Sequence, residues 1–143
     1  MKFIGLLGSP NAAGRTRLVG QAIASGIGKA NGQVDMISVA GGPSDEIIQA
    51  CDHADGLLLG CPVYRGGMAY PLKTLLDHMP TGMWGETLAP LLGKPAGIYM
   101  TGRPASRLSP EAPRAVENLR GLVTGHYRED RRSGSPPRRS SGR

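Results

Sequence analysis

The stretch "ADGLLLGCPVYRGGMAYPLKTLLDHM", residues 54–79, decides how this chain folds. Gly56–Cys61 is a short continuous apolar run, the pattern of a strand buried on both faces. "PVYRGGMAY", residues 62–70, breaks that run with a proline and paired glycines and reads as a loop. Leu72, Leu75, Leu76 and Met79 then recur at helical spacing, which predicts a helix with one buried stripe. A buried strand, a loop and an amphipathic helix together make the repeating unit of a parallel sheet.

The same unit appears on either side. Lys2–Leu7 is apolar and stops at Gly8, which predicts a first strand. Leu18, Val19, Ala22, Ile23, Ile27 and Ala30 give a helix over residues 15–30 with an apolar face, stopped by Asn31–Gln33. Val34–Val39 reads as a second strand, and Ser44 or Asp45 as the cap of a short helix over residues 46–54. Pro95–Met100 is a fourth strand, beyond a long connection over residues 80–92. The order is β-α-β-α-β-α-β. The fold class expected is therefore α/β, a doubly wound parallel sheet with helices on both faces. Ligands of such sheets bind beyond the carboxyl ends of the strands, where the winding reverses. Three segments lie there: residues 8–14, residues 62–70, and Thr101 onward.

At 143 residues and 39% hydrophobic composition, one globular domain is expected. No apolar run approaches the roughly 20 residues of a membrane span, and no secretory leader is legible, so a cytoplasmic protein is expected. Cys51 and Cys61 lie in apolar contexts without a CxxC pair, and read as reduced core residues rather than metal ligands. Cys51 and His53 are two apart but lack further ligands nearby, which argues against a metal site, and neither His78, on a helix, nor His126, in a polar tail, reads as catalytic. Lys73 and Asp77 read as a surface ion pair on a helix.

Charge divides the chain. Residues 1–100 carry seven Lys or Arg and seven Asp or Glu, whereas residues 101–143 carry ten Arg, no Lys and four acidic residues. Residues 109–123 can form a fourth helix, with Ser109 as cap, Pro110 in its first turn and Pro113 weakening it. The final strand of the sheet is not legible, "GLVTGHY" being its nearest candidate. The domain is set at residues 1–125, best supported over residues 1–102. Residues 126–143, rich in Arg, Ser and Pro, are expected to be disordered. The switch to arginine alone suggests a replaced C-terminus, as a frameshift produces. A polyanion-binding arm is the competing reading, though its single aromatic residue, Tyr127, gives no support for base stacking.

"GSPNAAGRT", residues 8–16, suits an anion. Small residues let the backbone close around it, the helix that follows offers free N–H groups, and Ser9, Asn11, Arg15 and Thr16 add donors. It is not a Walker loop. With Gly14 aligned, Ser9 stands at the first glycine and Arg15 at the lysine. A single terminal phosphate fits better than a diphosphate, although a turn with ordinary helix capping has the same composition.

"GSP…GRT" after the first strand and "ADG…PVY.GG…PLK..LD" around the third resemble the NADPH-dependent FMN reductase family of flavodoxin-like proteins, over residues 1–102. The resemblance implies an FMN cofactor and NADPH or NADH as co-substrate, with hydride passing through the flavin to a free flavin, a quinone or a similar small-molecule acceptor. It places Ser9, Asn11, Gly14, Arg15 and Thr16 at the FMN phosphate, with Asn11 departing from the arginine of several relatives. It places Pro62, Val63, Tyr64, Arg65, Gly66, Gly67 and Met68 at the isoalloxazine, and matches Thr101 and Gly102 to the third loop. Gly66-Gly67 can bring main-chain donors to the ring, Tyr64 and Met68 can cover a face, and Arg65 can stabilise a reduced anion. No side-chain acid or base is required, because the flavin does the chemistry. The resemblance also implies a homodimer or homotetramer, with Met83 and Trp84 as a candidate apolar contact. A flavodoxin-type electron carrier, a phosphotransferase and a truncated, inactive reductase are the alternatives.

Overall fold

The apolar runs become strands and the periodic segments become helices. The elements are β1 (Lys2–Leu7), α1 (Arg15–Lys29), β2 (Gln33–Ser38), α2 (Asp45–His53), β3 (Gly56–Tyr64), β4 (Gly67–Met68), α3 (Tyr70–His78), β5 (Ala96–Thr101) and α4 (Glu111–Thr124). The computed structural model describes residues 1–11, 13–80, 93–102 and 111–124, with the side chains of 113–121 in the last segment. Met83, Trp84, Ser109, Pro110 and the tail from residue 125 lie outside the described residues.

Four strands pair in parallel in the order β2-β1-β3-β5. The chain winds from β1 outward to β2, then returns across β1 to β3 and on to β5, so the winding reverses between β1 and β3. These two central strands carry the most continuous burial, while β2 and β5 are only partly covered. Among the described residues no strand pairs with the outer side of β5. "GLVTGHY" does not supply one within them, since Gly121–Thr124 is the last turn of α4. Pro113 leaves that helix intact because it falls in the first turn, where backbone N–H groups have no intrahelical partner.

Side chains alternate across each strand. On one face Ile4, Leu6, Leu57, Leu59 and Cys61 form the core with Cys51 of α2, Leu72 and Leu75 of α3 and Leu119 of α4. On the other face stands α1. α1 buries only part of its expected apolar face. Ile23 and Ile27 are half-buried, but Leu18, Val19 and Ala22 are exposed, and the fully buried residues are Thr16 and Gly20. The reason lies in the sheet beneath. That face carries Gly5 and Gly60, and two large side chains fill the space over them, Met36 over Gly5 and Tyr99 over Gly60. A helix above such filler must present small residues, so Gly20 meets Tyr99 and Met36.

Helix ends follow local chemistry. Ser44, not Asp45, caps α2, its hydroxyl accepting from the Ile47 N–H at 3.3 Å. α1 ends in a Schellman motif, with Asn31 at φ 61° and 3.0 Å bonds from Gly32 N–H to the Ile27 carbonyl and from Asn31 N–H to the Gly28 carbonyl. Lys94 closes the C-terminus of α2, its Nζ donating to the Cys51 carbonyl at 2.9 Å and to the Asp52 carbonyl.

Burial pushes the Cys51 thiol up to about 11, partly offset by the Lys94 charge. The unfolded chain gives up this proton near pH 9 and the folded chain only near 11. The resulting stability is complete below pH 9 and is lost between pH 9 and 11. Urea titrations over that range should show the loss, about 2 kcal/mol in all, and it should shrink in Cys51→Ala.

Candidate functional site

Three loops converge at the carboxyl ends of β1, β3 and β5. Gly8 opens the first. Its N–H donates to the Gly60 carbonyl at 2.7 Å, tying the loop to β3. No side chain larger than hydrogen fits there, since a Cβ would stand 2.5 Å from Leu72 Cβ and 3.0 Å from Cys61 Cβ. The loop then turns on its own polar groups. Ser9 Oγ accepts from the Asn11 N–H at 3.2 Å, Asn11 Oδ1 accepts from the Ala13 N–H at 3.1 Å, and the Asn11 carbonyl accepts from the Gly14 N–H at 3.1 Å. The Asn11 side-chain oxygen thus shapes the loop, leaving its amide NH2 as a donor.

Two polar side chains are buried among the described residues, Ser9 at 5% exposure and Thr16 at 2%. Both belong to this loop and the start of α1. Buried hydroxyls need partners, and Thr16 finds one across the sheet. Its Oγ1 lies 2.7 Å from Oγ1 of Thr101, the last residue of β5. The first and third loops are thereby bonded to each other. Arg15, the first residue of α1, is exposed beside them. No side chain caps α1 and no acidic residue occupies its first turn, in contrast to α2 with Ser44, Asp45 and Glu46. The N-terminal N–H groups and the positive end of the α1 dipole are oriented into this loop without a competing carboxylate.

Residues 62–70 are not an open loop. β3 continues through Pro62, Val63 and Tyr64 and folds straight back, pairing Val63 with Met68 and Tyr64 with Gly67. Arg65 and Gly66 make the two-residue connection, both at positive φ, 50° and 78°. That is the backbone of a type I′ hairpin. Asn-Gly is the usual signal for it and Arg-Gly is not, which is why the sequence reads as a loop here. Pro62 pairs in register with Thr101, so the hairpin begins beside the third loop. Among the described residues, a Cβ on Gly102 would come within 4 Å of Val63 Cβ alone, at 3.7 Å, and one on Gly67 of the Tyr64 carbonyl alone, at 3.7 Å. The described residues thus leave the main chain at these two glycines approachable by a flat ligand.

The placement of the hairpin side chains is uneven. Pro62 is buried, Val63 and Gly66 are half-buried, and Met68 packs against the core, which gives Met68 a packing role. Tyr64 is 54% exposed and Arg65 is exposed, so both are available to a bound molecule. The left-handed conformation of Arg65 costs an ordinary side chain about 1–2 kcal/mol. Arg65→Asn should therefore raise stability by about 0.5–1 kcal/mol in urea unfolding.

Sequence reading finds the three loops but does not single out Gly20, Gly60 or Tyr99. The signal for Gly60 is a glycine within the apolar run of β3, where strand propensity disfavours it. Tyr99 Oη is buried without a partner among the described residues, and burial holds its pKa up at about 12. Lys73 and Asp77 form an exposed ion pair at 2.5 Å on α3. Among the described residues no group of three His, Cys, Asp or Glu is placed to hold a metal, and no helix is long and apolar enough to cross a membrane.

The sequence model of the NADPH-dependent FMN reductase family matches residues 1–124. The chain belongs to this family. An iron-sulfur flavoprotein of Methanocaldococcus jannaschii is 32% identical to this FMN reductase family member over 99 residues, covering 54% of this chain and 51% of the flavoprotein. The chain thus spans about half the length of that relative. The apo crystal structure of an NADH:FMN oxidoreductase, EmoB, superposes with a TM-score of 0.68 at 25% identity, covering 87% of this chain and 68% of the other. A WrbA-like flavodoxin from Agrobacterium tumefaciens gives 0.63 at 23% identity, covering 87% and 73%. The family member has the flavodoxin-like sheet that its order of elements predicts.

Proposed function

We propose that the three converging loops form an FMN site, and that the chain is an FMN-dependent oxidoreductase drawing hydride from NAD(P)H. The observation that carries this reading is the bonded junction itself: Gly8 to Gly60, Thr16 to Thr101 and Gly102 against Val63 bring phosphate-type donors and an exposed hairpin main chain to one end of the sheet. Family membership and the likeness to EmoB, an NADH:FMN oxidoreductase, support it.

The residues present suit FMN. Ser9, Gly14, Thr16 and the start of α1 would take the phosphate, with Arg15 adding charge and Asn11 setting the loop. Gly66, Gly67, Thr101 and Gly102 would bring main chain to the ring edge, beside Pro62 and Val63. Tyr64 would cover a face, and Arg65 would place positive charge near the ring. Bound FMN supplies two-electron redox chemistry, and the chain's own groups bind, orient and electrostatically bias it. A free flavin or a quinone as acceptor, and a homodimeric or homotetrameric cytoplasmic assembly, complete the reading. The iron-sulfur centre named for the M. jannaschii relative is said of that protein alone; Cys51 and Cys61 of this chain are buried, free thiols.

Steady-state oxidation of NADPH or NADH by the FMN-loaded protein, with free flavin or quinone as acceptor, tests the activity. Sustained turnover is expected. FMN binding without NAD(P)H oxidation would favour an electron carrier, a reading that the balanced charge of residues 1–100 disfavours, since carriers dock through acidic surfaces.

A further inference from the structure

The hydroxyl–hydroxyl bond between Thr16 and Thr101 joins residues 85 positions apart, at 2.7 Å. Thr16 stands one residue inside α1, at the loop proposed for the phosphate, and is 2% exposed. Thr101 ends β5, in register with Pro62 of β3. One turn further along α1, Gly20 rests on Tyr99, the next residue of β5 on the same face. The pairs Thr16–Thr101 and Gly20–Tyr99 therefore run in step, and together they fix the N-terminal turn of α1 over the end of β5.

Each hydroxyl has one proton to give. A phosphate oxygen only accepts. If Thr16 gives its one proton to a phosphate, it has none left for the bond to Thr101, so in that 2.7 Å bond Thr16 accepts and Thr101 donates. The bond then has one direction: Thr101 donates to Thr16, and Thr16 donates outward. A chain of this kind polarises each member and strengthens the terminal donor.

We propose that the Thr101 hydroxyl is a positioning group for the FMN phosphate: it acts through Thr16, fixing the rotamer and the proton direction of that hydroxyl, and the Thr101 side chain, unlike its main chain, does not serve the flavin ring. This rests on the FMN reading above. It assigns to the third loop a part in recognising the phosphate at the opposite end of the cofactor from the ring.

The test compares FMN with riboflavin, which lacks the phosphate, by fluorescence titration of the full chain. In Thr101→Val the Kd for FMN should rise about tenfold, while that for riboflavin stays within about twofold. Thr101→Ala makes the same deletion with a smaller side chain, should Val disturb the fold. Thr101→Ser should restore FMN affinity. Because Thr101 acts through Thr16, Thr16→Val/Thr101→Val should bind FMN no more weakly than Thr16→Val alone. Equal losses for FMN and riboflavin in Thr101→Val and Thr101→Ala would overturn the proposal, since Thr101 would then serve the ring or the fold. Unchanged FMN affinity in both would overturn it as well. Wild-type protein that binds neither flavin would instead overturn the FMN reading, and the proposal with it.

Discussion

Gly8→Val should lower stability by about 1–3 kcal/mol or more and abolish measurable FMN retention. The expectation follows from what surrounds the position. A Cβ there would stand 2.5 Å from Leu72 Cβ, 3.0 Å from Cys61 Cβ and 3.2 Å from the Gly60 carbonyl oxygen. None of these is the far end of a flexible side chain. Leu72 and Cys61 are core residues of α3 and β3, and Gly60 O accepts the Gly8 N–H. The loop can relieve the contact only by lifting off β3, and lifting it breaks the bond that sets the height of Ser9 and the start of α1. Gly26→Ala and Gly28→Ala are the controls, because among the described residues a Cβ at either meets nothing within 4 Å. Each should stabilise α1 by up to about 1 kcal/mol and leave FMN affinity unchanged. Urea unfolding and FMN titration of the three variants separate these outcomes. Normal FMN affinity in Gly8→Val would mean that the first loop is not held by β3 as described.

Gly60→Ala should be strongly destabilising, and the way it is rescued should differ from the rescue of Gly20→Ala. A methyl at Gly60 would fall within the Tyr99 ring, against Cζ, Cε1 and Oη together. A methyl at Gly20 would meet chiefly the Tyr99 hydroxyl, with Met36 Cε at 2.8 Å and Tyr99 Cζ at 3.1 Å. Removing the hydroxyl therefore helps one and not the other. Tyr99→Phe alone should be neutral or stabilising by about 1 kcal/mol, because Oη is buried without a partner among the described residues. In that background Gly20→Ala should cost little, its helix propensity offsetting the remaining Met36 contact. Gly60→Ala should still cost about 1–3 kcal/mol, and should recover only when the ring itself is shortened, as in Tyr99→Leu. Such non-additivity is the signature of residues that share one space. Equal rescue of both glycine variants by Tyr99→Phe would show that Tyr99 lies elsewhere.

The strands were legible because this sheet is buried in its middle. "GLLLGC" and "KFIGLL" are apolar on both faces, which only a central parallel strand requires. The helix after the hairpin was legible because Leu72, Leu75 and Leu76 all bury, as their spacing predicts. The orientation of α1 was not. Periodicity assigns the sheet side to Leu18 and Val19, whereas the space beneath the first turns of α1 is already filled by Met36 and Tyr99, so that Thr16 and Gly20 face it, with Ile23 and Ile27 half-buried further along. That information lies in residues 36, 60 and 99, far from the helix in sequence. The hairpin was missed for a local reason, since Arg65 occupies a left-handed position at which Asn or Gly is the usual sign. At the site, the sequence located the three loops, and the first two through motifs. It did not show that Asn11 folds the loop, that Met68 packs into the core, or that Thr16 and Thr101 bond to each other, because these depend on which loops the sheet order brings together.

The proposed FMN site at the ends of β1, β3 and β5 is tested most directly by mixing the purified chain with FMN, desalting it, and recording the flavin absorbance and fluorescence of the protein fraction. Flavin should co-elute with the protein, with altered fluorescence, and retention should fall when riboflavin replaces FMN. Protein that emerges colourless, with the fluorescence of added FMN unchanged throughout a titration, would contradict it.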